Sequence, residues 1–295
     1  MDQTLVDLAS SEHSQAFLVA FVAIFALAVG SFLNVVILRL PVMMDRAWRR
    51  ECKQLLDSPP LSAEHAEPVS LAYPPSTCPR CGHRIRPLEN IPVLSYMFMR
   101  GRCSGCRERI SLRYPVVEII TALVSVAVVL RFGPTWHTAA GLVFTWALVA
   151  LTVIDIDHQL LPDSITLPLL WAGLLINQMT GVVPLQDALW GAVFGYLSLW
   201  SVYWGFKLLT GKEGMGYGDF KLLAALGAWL GWTALPGIIL LSSLVGAITG
   251  IALILIQGRD KNIPIPFGPY LATAGWLMLL YGEQLNGAYI NFLAR

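Results

Sequence analysis

Two aspartates at the ends of apolar segments carry the strongest chemical signal in this sequence. Asp155 closes the apolar run 139–154, and Asp219 precedes the run that begins at Leu222. Carboxylates at the edge of a membrane span are rare and usually functional. If the two side chains meet, they cannot both ionise cheaply, so they would share one proton. One carboxylate could then activate a water while the other protonates a carbonyl, which is aspartic-protease chemistry.

The neighbouring residues leave structural alternatives open. Asp219 could be no more than a helix N-cap, and Asp163 could cap the next helix in the same way. Asp155 lies at the C-terminal end of its helix, where the helix dipole disfavours an anion, so capping does not explain it. Asp157 and His158 are expected to be exposed loop residues.

Two glycines precede the second aspartate. Gly216 and Gly218 leave bare backbone beside Asp219, which would allow an extended peptide to approach closely. Proton relays in transporters also use aspartates of this kind, so spacing alone does not establish proteolysis.

Four cysteines form two CxxC pairs with 21 residues between them: Cys78, Cys81, Cys103 and Cys106. Two such pairs can bring four thiolates to one tetrahedral centre, which predicts a structural zinc site. The glycines at 82 and 105 suit the tight turns that this needs. Four free thiols, or His83 in place of one cysteine, are the alternatives, and Cys52 is interpreted as a spare thiol.

The composition identifies the elements that must position these residues. The chain has 295 residues, of which 56% are hydrophobic and 13% charged, and its mean hydropathy is +0.62. Soluble domains are about 25% charged. Long apolar runs with this composition predict an all-α polytopic membrane protein. Eight transmembrane helices are expected, at about 17–38, 115–131, 137–154, 165–180, 186–206, 220–233, 235–256 and 267–282.

The basic residues predict the orientation. Thirteen of the twenty Lys and Arg residues lie between Arg39 and Arg113, and such residues concentrate on cytoplasmic loops. The N-terminus is therefore expected in the periplasm, with both aspartates at the cytoplasmic face. Arg259 and Lys261 support two helices within 222–256, separated by a turn at 232–236. Three parts are predicted: a first span 1–38, a cytoplasmic cysteine-rich zinc loop 39–113 and a catalytic membrane region 114–295.

Several motifs together resemble those of the bacterial type IV prepilin peptidases. They are the segment 30–41 (GSFLNVVILRLP), the two CxxC pairs, the segment 155–163 (DIDHQLLPD), the GYGD of 216–219 and the PFGP of 266–269. The resemblance runs from about Gly30 to Tyr281. The GxGD pattern alone would be weak, because presenilin-like intramembrane proteases share it.

The resemblance implies a bifunctional enzyme of the bacterial inner membrane. Its substrates would be prepilins and pseudopilins of type IV pili and type II secretion, cut after a glycine at the cytoplasmic face. The new N-terminal residue would then be methylated with S-adenosylmethionine. Asp155 and Asp219 are the implied catalytic pair, Asp157 and Asp163 belong to the same motif, and the four cysteines imply the metal-binding form of the loop.

The methyltransferase activity has little support in the residues themselves. The chain lacks a GxGxxG motif after a strand and has no room for a Rossmann domain, so S-adenosylmethionine would need an unusual site between the cysteine loop and the spans. Glu89 and Gly101 are candidates, although ordinary loop roles explain either one alone. Gly30, Ser31 and Asn34 in the first span are interpreted as packing residues.

Three alternatives to this function stay open at the level of sequence. A proton-coupled transporter would use the aspartates as a relay, but it leaves the cysteine loop unexplained. A structural membrane subunit of a secretion machine leaves the position of Asp155 unexplained. A protease without methyltransferase activity explains the aspartates, the cysteine pairs and the spans, but not the methylation that the resemblance implies.

Overall fold

The computed structural model describes residues 3–55, 69–212, 214–257 and 266–293. In this part of the chain nine α-helices occur in the order α1 Gln3–Leu55, α2 Leu94–Phe98, α3 Arg113–Phe132, α4 Trp136–His158, α5 Asp163–Thr180, α6 Leu185–Thr210, α7 Tyr217–Leu230, α8 Leu235–Gln257 and α9 Gly268–Leu293. Two short 3-10 helices cover Pro87–Asn90 and Trp232–Ala234. Extended pairing among the described residues is limited to isolated antiparallel bridges, Thr77 with Arg84 and Arg102 with Arg109.

The all-helical membrane fold is confirmed. Four described segments are long and apolar enough to cross a membrane: Gln15–Leu55, Arg113–Phe132, Trp136–His158 and Trp232–Ala252. Helices also cover the other predicted spans, and 222–256 is divided into α7 and α8 as expected, with Gly231 at a positive φ of 80° between them. The full count of eight spans stays a prediction, and Arg259 and Lys261, on which the orientation partly rested, lie outside the described residues.

The first helix is longer than its predicted span. The sequence predicted a span that ends near Leu38, but α1 continues through Pro41 to Leu55, for 53 residues. At about 1.5 Å per residue this helix is about 80 Å long, more than twice the thickness of a hydrocarbon core. Helix α1 therefore continues well past one membrane surface.

The chain divides into two compact units, residues 1–142 and 143–295. In the first unit, α1 packs on α3 and the loop 69–112 connects to both. Gly30 permits this packing, because a Cβ there would lie 2.7 Å from the Cα of Glu118. The packing interpretation of Gly30 is thus confirmed.

The second unit is built around α7. This helix has 14 residues and is buried from Leu222 to Trp229 on all sides, as expected for a segment that is apolar around its whole circumference. Helix α6 approaches it through Gly191 and Gly195, where any Cβ would meet the backbone of α7. Small residues at such contacts let helix backbones pack closely in a membrane.

Polar side chains complete the C-terminal end of α7. Asn177 of α5 donates through its amide nitrogen to the carbonyl oxygens of Ala228 and Trp229, at 2.9 and 3.1 Å. The indole of Trp229 donates to the carbonyl of Leu169 at 2.7 Å. The last carbonyls of a helix lack partners within the helix, so these contacts satisfy them and fix the axial position of α7 against α5.

Candidate active site and metal centre

The structure brings Asp155 and Asp219 together, although 64 positions separate them in the sequence. Asp155 lies in the last turn of α4, and Asp219 is the third residue of α7. Their exposed fractions are only 5% and 7%. The two carboxylates are close enough to interact electrostatically. They form a buried pair of acidic groups in the second unit, as dyad chemistry requires.

A third residue of this site comes from the start of α9. The backbone N–H of Gly268 donates to Oδ2 of Asp155 at 3.0 Å. A Cβ on residue 268 would lie 2.6 Å from the same oxygen, so only glycine fits without displacing the carboxylate. The N-terminus of a helix stabilises negative charge, and α9 therefore offsets the unfavourable position of Asp155 at the C-terminus of α4. The PFGP segment was noted in the sequence, but no role for Gly268 followed from it.

Asp219 is not the N-cap residue of α7, although its carboxylate accepts from the backbone N–H of the residue that is. The N-cap of α7 is Gly216, and Asp219 lies inside the first turn, where a carboxylate also interacts favourably with the helix N-terminus. Gly216 is exposed, and a Cβ there would have Oδ2 of Asp219 as its nearest neighbour, at 3.8 Å. The backbone at Gly216 is thus exposed beside Asp219, and the approach of an extended peptide there stays a prediction.

Gly218 has a different role from Gly216. A Cβ on residue 218 would lie 2.8 Å from the Cβ of Leu161, in the connection between α4 and α5. Gly218 therefore allows the start of α7 to pack on this connection. This connection comes directly after α4, the helix that carries Asp155.

The other two aspartates of the motif lie outside the buried pair. Asp163 is the first residue of α5, and Pro162 is the N-cap, so the capping alternative for Asp163 is wrong. The carboxylate of Asp163 instead accepts from Nζ of Lys221 through both oxygens, at 2.7 Å each. Asp157 and His158 are exposed as expected, but they belong to the last turn of α4 rather than to a loop.

The four cysteines of the CxxC pairs converge in the loop of the first unit. All four sulfur atoms lie within 4.8 Å of one another. The Sγ atoms of Cys78 and Cys106 are 3.9 Å apart, and those of Cys81 and Cys103 are 4.0 Å apart. Tetrahedral zinc with bonds of about 2.3 Å to sulfur requires S···S distances of about 3.8 Å. The cluster could therefore hold a metal ion of this kind.

The cysteine loop contains a local repeat that the sequence did not reveal. The first knuckle, residues 76–85, and the second knuckle, residues 101–110, share three backbone hydrogen bonds at equivalent positions 25 residues apart. They are Cys78 N to His83 O and Cys103 N to Glu108 O, Gly82 N to Cys78 O and Arg107 N to Cys103 O, and Ile85 N to Ser76 O and Ile110 N to Gly101 O. Each knuckle therefore presents its two thiols from the same turn.

The glycine of the second knuckle serves a purpose other than the predicted one. The turn residue at positive φ is Gly82 in the first knuckle, at 70°, and Arg107 in the second, at 60°. Gly105 is not at positive φ; a Cβ there would lie 3.1 Å from the Cβ of His83. Gly105 thus permits the close approach of the two knuckles.

Hydrogen bonds support the thiol cluster from outside. The backbone N–H groups of Cys81 and Arg80 lower the pKa of the Cys78 thiol to about 6, which favours the thiolate that a metal binds. His83 is not in the cluster and faces Glu89, with Nε2 and Oε2 3.1 Å apart. Cys52 is exposed and lies outside the cluster, as expected.

The two loop residues suggested for S-adenosylmethionine both have structural roles. Hydrogen bonding, first from the Arg86 backbone and then from Ser104 and His83, lowers the pKa of Glu89 to about 2. Gly101 is buried at a φ of 65°, and a Cβ there would lie 2.7 Å from the Tyr96 hydroxyl oxygen. Ordinary loop roles therefore explain both residues.

Taken together, these features define a helical membrane protein with a buried pair of aspartates in one unit and a four-cysteine cluster in the other. Comparison with known proteins gives the family. Residues 24–132 match the bacterial peptidase A24 N-terminal domain, and residues 142–251 match the type IV leader peptidase family. The chain belongs to the type IV leader peptidase family.

Curated relatives cover nearly the whole chain. A prepilin leader peptidase/N-methyltransferase of Aeromonas salmonicida is 59% identical over 272 residues, which are 92% of this chain and 94% of that protein. Proteins of the same name from Pseudomonas aeruginosa and Xanthomonas campestris are 55% and 48% identical, over 96% and 90% of this chain and 96% and 92% of their own lengths. No solved structure matches. The family is one of proteases, so the chain is an enzyme, and these relatives give no support to the transporter alternative.

Proposed function

We propose that this enzyme removes the leader peptides of prepilins and pseudopilins with an aspartate dyad and then methylates the new N-terminus. The observation that carries the proposal is the burial of Asp155 and Asp219 side by side. The names of the relatives supply the substrate class and the second activity.

The geometry suits peptide hydrolysis by two carboxylates that share one proton. The ionised carboxylate would remove a proton from a water, and the water oxygen would attack the scissile carbonyl carbon. The protonated carboxylate would donate its proton to the carbonyl oxygen. Collapse of the tetrahedral intermediate breaks the C–N bond, and the amine leaves with a proton from the dyad.

Two helix N-termini stabilise the charge that the dyad must hold. Asp219 lies in the first turn of α7, and the N–H of Gly268 at the start of α9 donates to Asp155. Both helices direct the positive ends of their dipoles at one buried negative charge. This arrangement holds a carboxylate in an apolar environment, where it would otherwise be costly.

The substrate would approach from the cytoplasmic side of the inner membrane. We assign this face from the concentration of basic residues in 39–113, together with the three-part division 1–38, 39–113 and 114–295. A prepilin would place its apolar helix among the spans and its basic leader in the cytoplasm. Gly216, which is exposed beside Asp219, would let the extended segment around the cut site approach the dyad.

Zinc is the proposed metal of the cysteine cluster. Four thiolates at tetrahedral spacing favour zinc, and they fill its coordination shell, so the ion would be structural. Bound there, it would link the two knuckles and stabilise the loop, with no part in the hydrolysis. The methyl donor would be S-adenosylmethionine, which supplies an electrophilic methyl group.

The test is digestion of a purified prepilin, read by intact mass, with and without S-adenosylmethionine. Wild-type enzyme should remove the leader in both conditions. Only with the methyl donor present should it add about 14 Da, the net gain when one methyl group replaces a hydrogen. Asp155→Asn and Asp219→Asn should leave the substrate uncut, whereas the exposed Asp157→Asn should cut it; general acid–base groups contribute about 10²–10⁴-fold each. Cleavage at wild-type rate by either buried variant would refute the dyad.

A further inference from the structure

A cavity of about 570 Å³ lies inside the first unit, between the loop 69–112 and the helices α1 and α3. Its volume falls within the range of about 300–1,000 Å³ that is typical of small-molecule sites. The wall combines aliphatic side chains with two tyrosines, Tyr96 and Tyr114, and several charged groups. Of the residues to which the proposed function gives a role, Cys78 and Cys103 of the metal cluster line this cavity.

Three arginines line the cavity: Arg39, Arg80 and Arg109. Arg109 is exposed, and Arg39 is already bound by protein. Arg39 of α1 donates to three backbone carbonyls of the loop: those of Ser70 at 3.0 Å, Leu71 at 3.3 Å and Pro74 at 2.7 Å. These bonds use the guanidinium to attach the loop to α1. Arg39 is therefore better suited to closing the wall than to holding an anionic ligand.

Two carboxylates of the wall are also paired. Glu89 contacts His83, and Glu108 forms an ion pair with Arg80 at 3.6 Å. Their negative charges are offset by neighbouring basic groups, so neither is available to balance the charge of a cation in the cavity.

Glu118 of α3 differs from both. It is 7% exposed, and its partners among the described residues are neutral donors: the N–H of Val93 at 2.8 Å and the hydroxyl of Ser31. A carboxylate has about four acceptor sites on its two oxygens, so these donors leave capacity for another ligand. A buried charge is costly unless it is paired, which makes the Glu118 carboxylate a site for a cation.

We propose that this cavity is the site of methyl transfer and that Glu118 binds the new N-terminal amine of the cleaved substrate and accepts its proton. This inference rests on the proposed N-methyltransferase activity. Both reactants carry positive charge, one as an ammonium and the other as a sulfonium. In this cavity Arg39 is bound by backbone carbonyls and Arg80 is paired with Glu108, while the partners of the buried Glu118 among the described residues are neutral. Such a cavity fits this pair of ligands.

The transfer balances with these groups alone. The α-ammonium gives one proton to Glu118 and becomes a neutral amine with a free lone pair. The amine nitrogen attacks the methyl carbon of the sulfonium, a C–N bond forms, and the C–S bond breaks with its electron pair going to sulfur. The products are a methylated ammonium and a neutral thioether, and the proton leaves Glu118 to solvent.

The tyrosines suit the methyl donor. The hydroxyl of Tyr96 donates to the carbonyl of Ile110 at 3.3 Å, which fixes its ring at the cavity wall. An aromatic face attracts a cation placed over it and also packs well against a planar base. S-adenosylmethionine contains both groups: its sulfonium is the cation and its adenine is the planar base.

The first experiment replaces the carboxylate without changing its shape. Glu118→Gln keeps an oxygen to accept from Val93, and Glu51→Gln, an exposed carboxylate of α1, is the matched control. At pH 7 we expect methyl transfer to fall about 100-fold in Glu118→Gln, while leader cleavage stays within about twofold. An N-terminal amine has a pKa of about 7.7–8.0, so at pH 9 solvent deprotonates it and the deficit should shrink below about tenfold.

The second experiment fills the cavity and measures binding rather than turnover. Val35 of α1 lines the cavity, whereas Phe32 of the same helix is exposed and does not. Equilibrium dialysis with labelled S-adenosylmethionine should show at least tenfold weaker binding to Val35→Trp, a loss of more than about 1.4 kcal/mol. Phe32→Trp should bind like wild type, and both variants should still cut the leader.

The outcomes separate this inference from the proposed function. An inactive wild type would refute the proposed function itself. A wild type that cuts and methylates, together with normal methylation by Glu118→Gln at pH 7, would overturn the inference alone. A deficit of the same size at pH 7 and pH 9 would overturn the proton-accepting role, and unchanged binding by Val35→Trp would exclude the cavity as the donor site.

Discussion

The cysteine loop of the first unit and the aspartate site of the second unit are assembled in opposite ways. The loop brings four thiols together within 29 residues, from Cys78 to Cys106, by repeating one backbone turn. The aspartate site draws its three groups from α4, α7 and the start of α9, across 114 residues. A metal ion can hold the first site together, whereas the second depends on close packing of helices around α7. The two sites should therefore fail under different perturbations.

Removal of the metal should have the largest effect on the loop. Structural zinc supplies about 10–16 kcal/mol of folding free energy in zinc-finger peptides, so a strong chelator should unfold residues 69–112. Limited proteolysis of the intact enzyme should then cut this loop, and Cys103→Ala should reproduce the result without chelator.

The matched control is Cys52→Ala, since Cys52 is an exposed cysteine outside the cluster. It should leave the loop resistant to protease. Because Asp155, Asp219 and Gly268 all lie in the second unit, leader cleavage should decline less than methyl transfer. A loop that resists protease after complete metal removal would contradict this role for the metal.

A methyl group at position 268 should damage the aspartate site most directly. Gly268→Ala places a Cβ 2.6 Å from Oδ2 of Asp155, so the carboxylate must move. A displacement of about 1 Å can cost about 100-fold in rate, and we expect a loss of 10- to 100-fold in leader cleavage. Initial rates on a purified prepilin measure it. Gly282→Ala, just beyond the kink at Tyr281 and with its nearest neighbour at 4.0 Å, should cut normally. Equal losses in both variants would show that the effect does not depend on contact with Asp155.

The ion pair beside the aspartate site should matter less. Lys221 and Asp163 join the first turns of α7 and α5, but their side chains are 29% and 53% exposed. Exposed pairs are worth about 0–1 kcal/mol, so Lys221→Met and Asp163→Asn should each slow cleavage less than about tenfold. In a double-mutant cycle the two losses should not add, since both remove one contact. Fully additive losses would show that the pair does not act as a unit.

The smallest effect is expected at the turn residues of the two knuckles. Arg107 occupies the positive-φ position that Gly82 occupies in the first knuckle. A residue with a Cβ is strained there, whereas glycine is not. Arg107→Gly should stabilise the loop by about 0.5–1 kcal/mol, and Gly82→Ala should destabilise it by a similar amount. Zinc-dependent protection from protease, titrated with chelator, measures both changes. If both variants changed the stability of the loop in the same direction, the equivalence of the two knuckles would be contradicted.

The sequence predicted those features that depend on local pattern. The CxxC spacing predicted the cysteine cluster. The long apolar stretch with a turn at 232–236 predicted the division of α7 from α8. The positions of Asp155 and Asp219 at the ends of apolar runs led to the expectation that they meet. Their catalytic role, the zinc and the eight-span count remain predictions.

Features that depend on distant contacts could not be predicted. In the sequence, Gly268 resembles an ordinary helix start, and only the structure shows that its backbone N–H donates to Asp155. Asp163 likewise resembles a helix cap, and only the structure shows its contact with Lys221. The sequence does not predict the extension of α1, because residues 39–55 contain seven charged residues and Pro41, which removes one backbone donor from the helix.

The central claim is that the two buried aspartates act as one catalytic unit, and a three-way comparison of cleavage rates tests it most directly. Asp155→Asn, Asp219→Asn and the double variant should all be slower than wild type by at least about 100-fold and equal to one another, because groups that act as a unit are grossly non-additive. Folded protein can be verified by the protease resistance of the helices. A single variant that retains more than a few per cent of the wild-type rate, or a double variant much slower than either single one, would contradict the account.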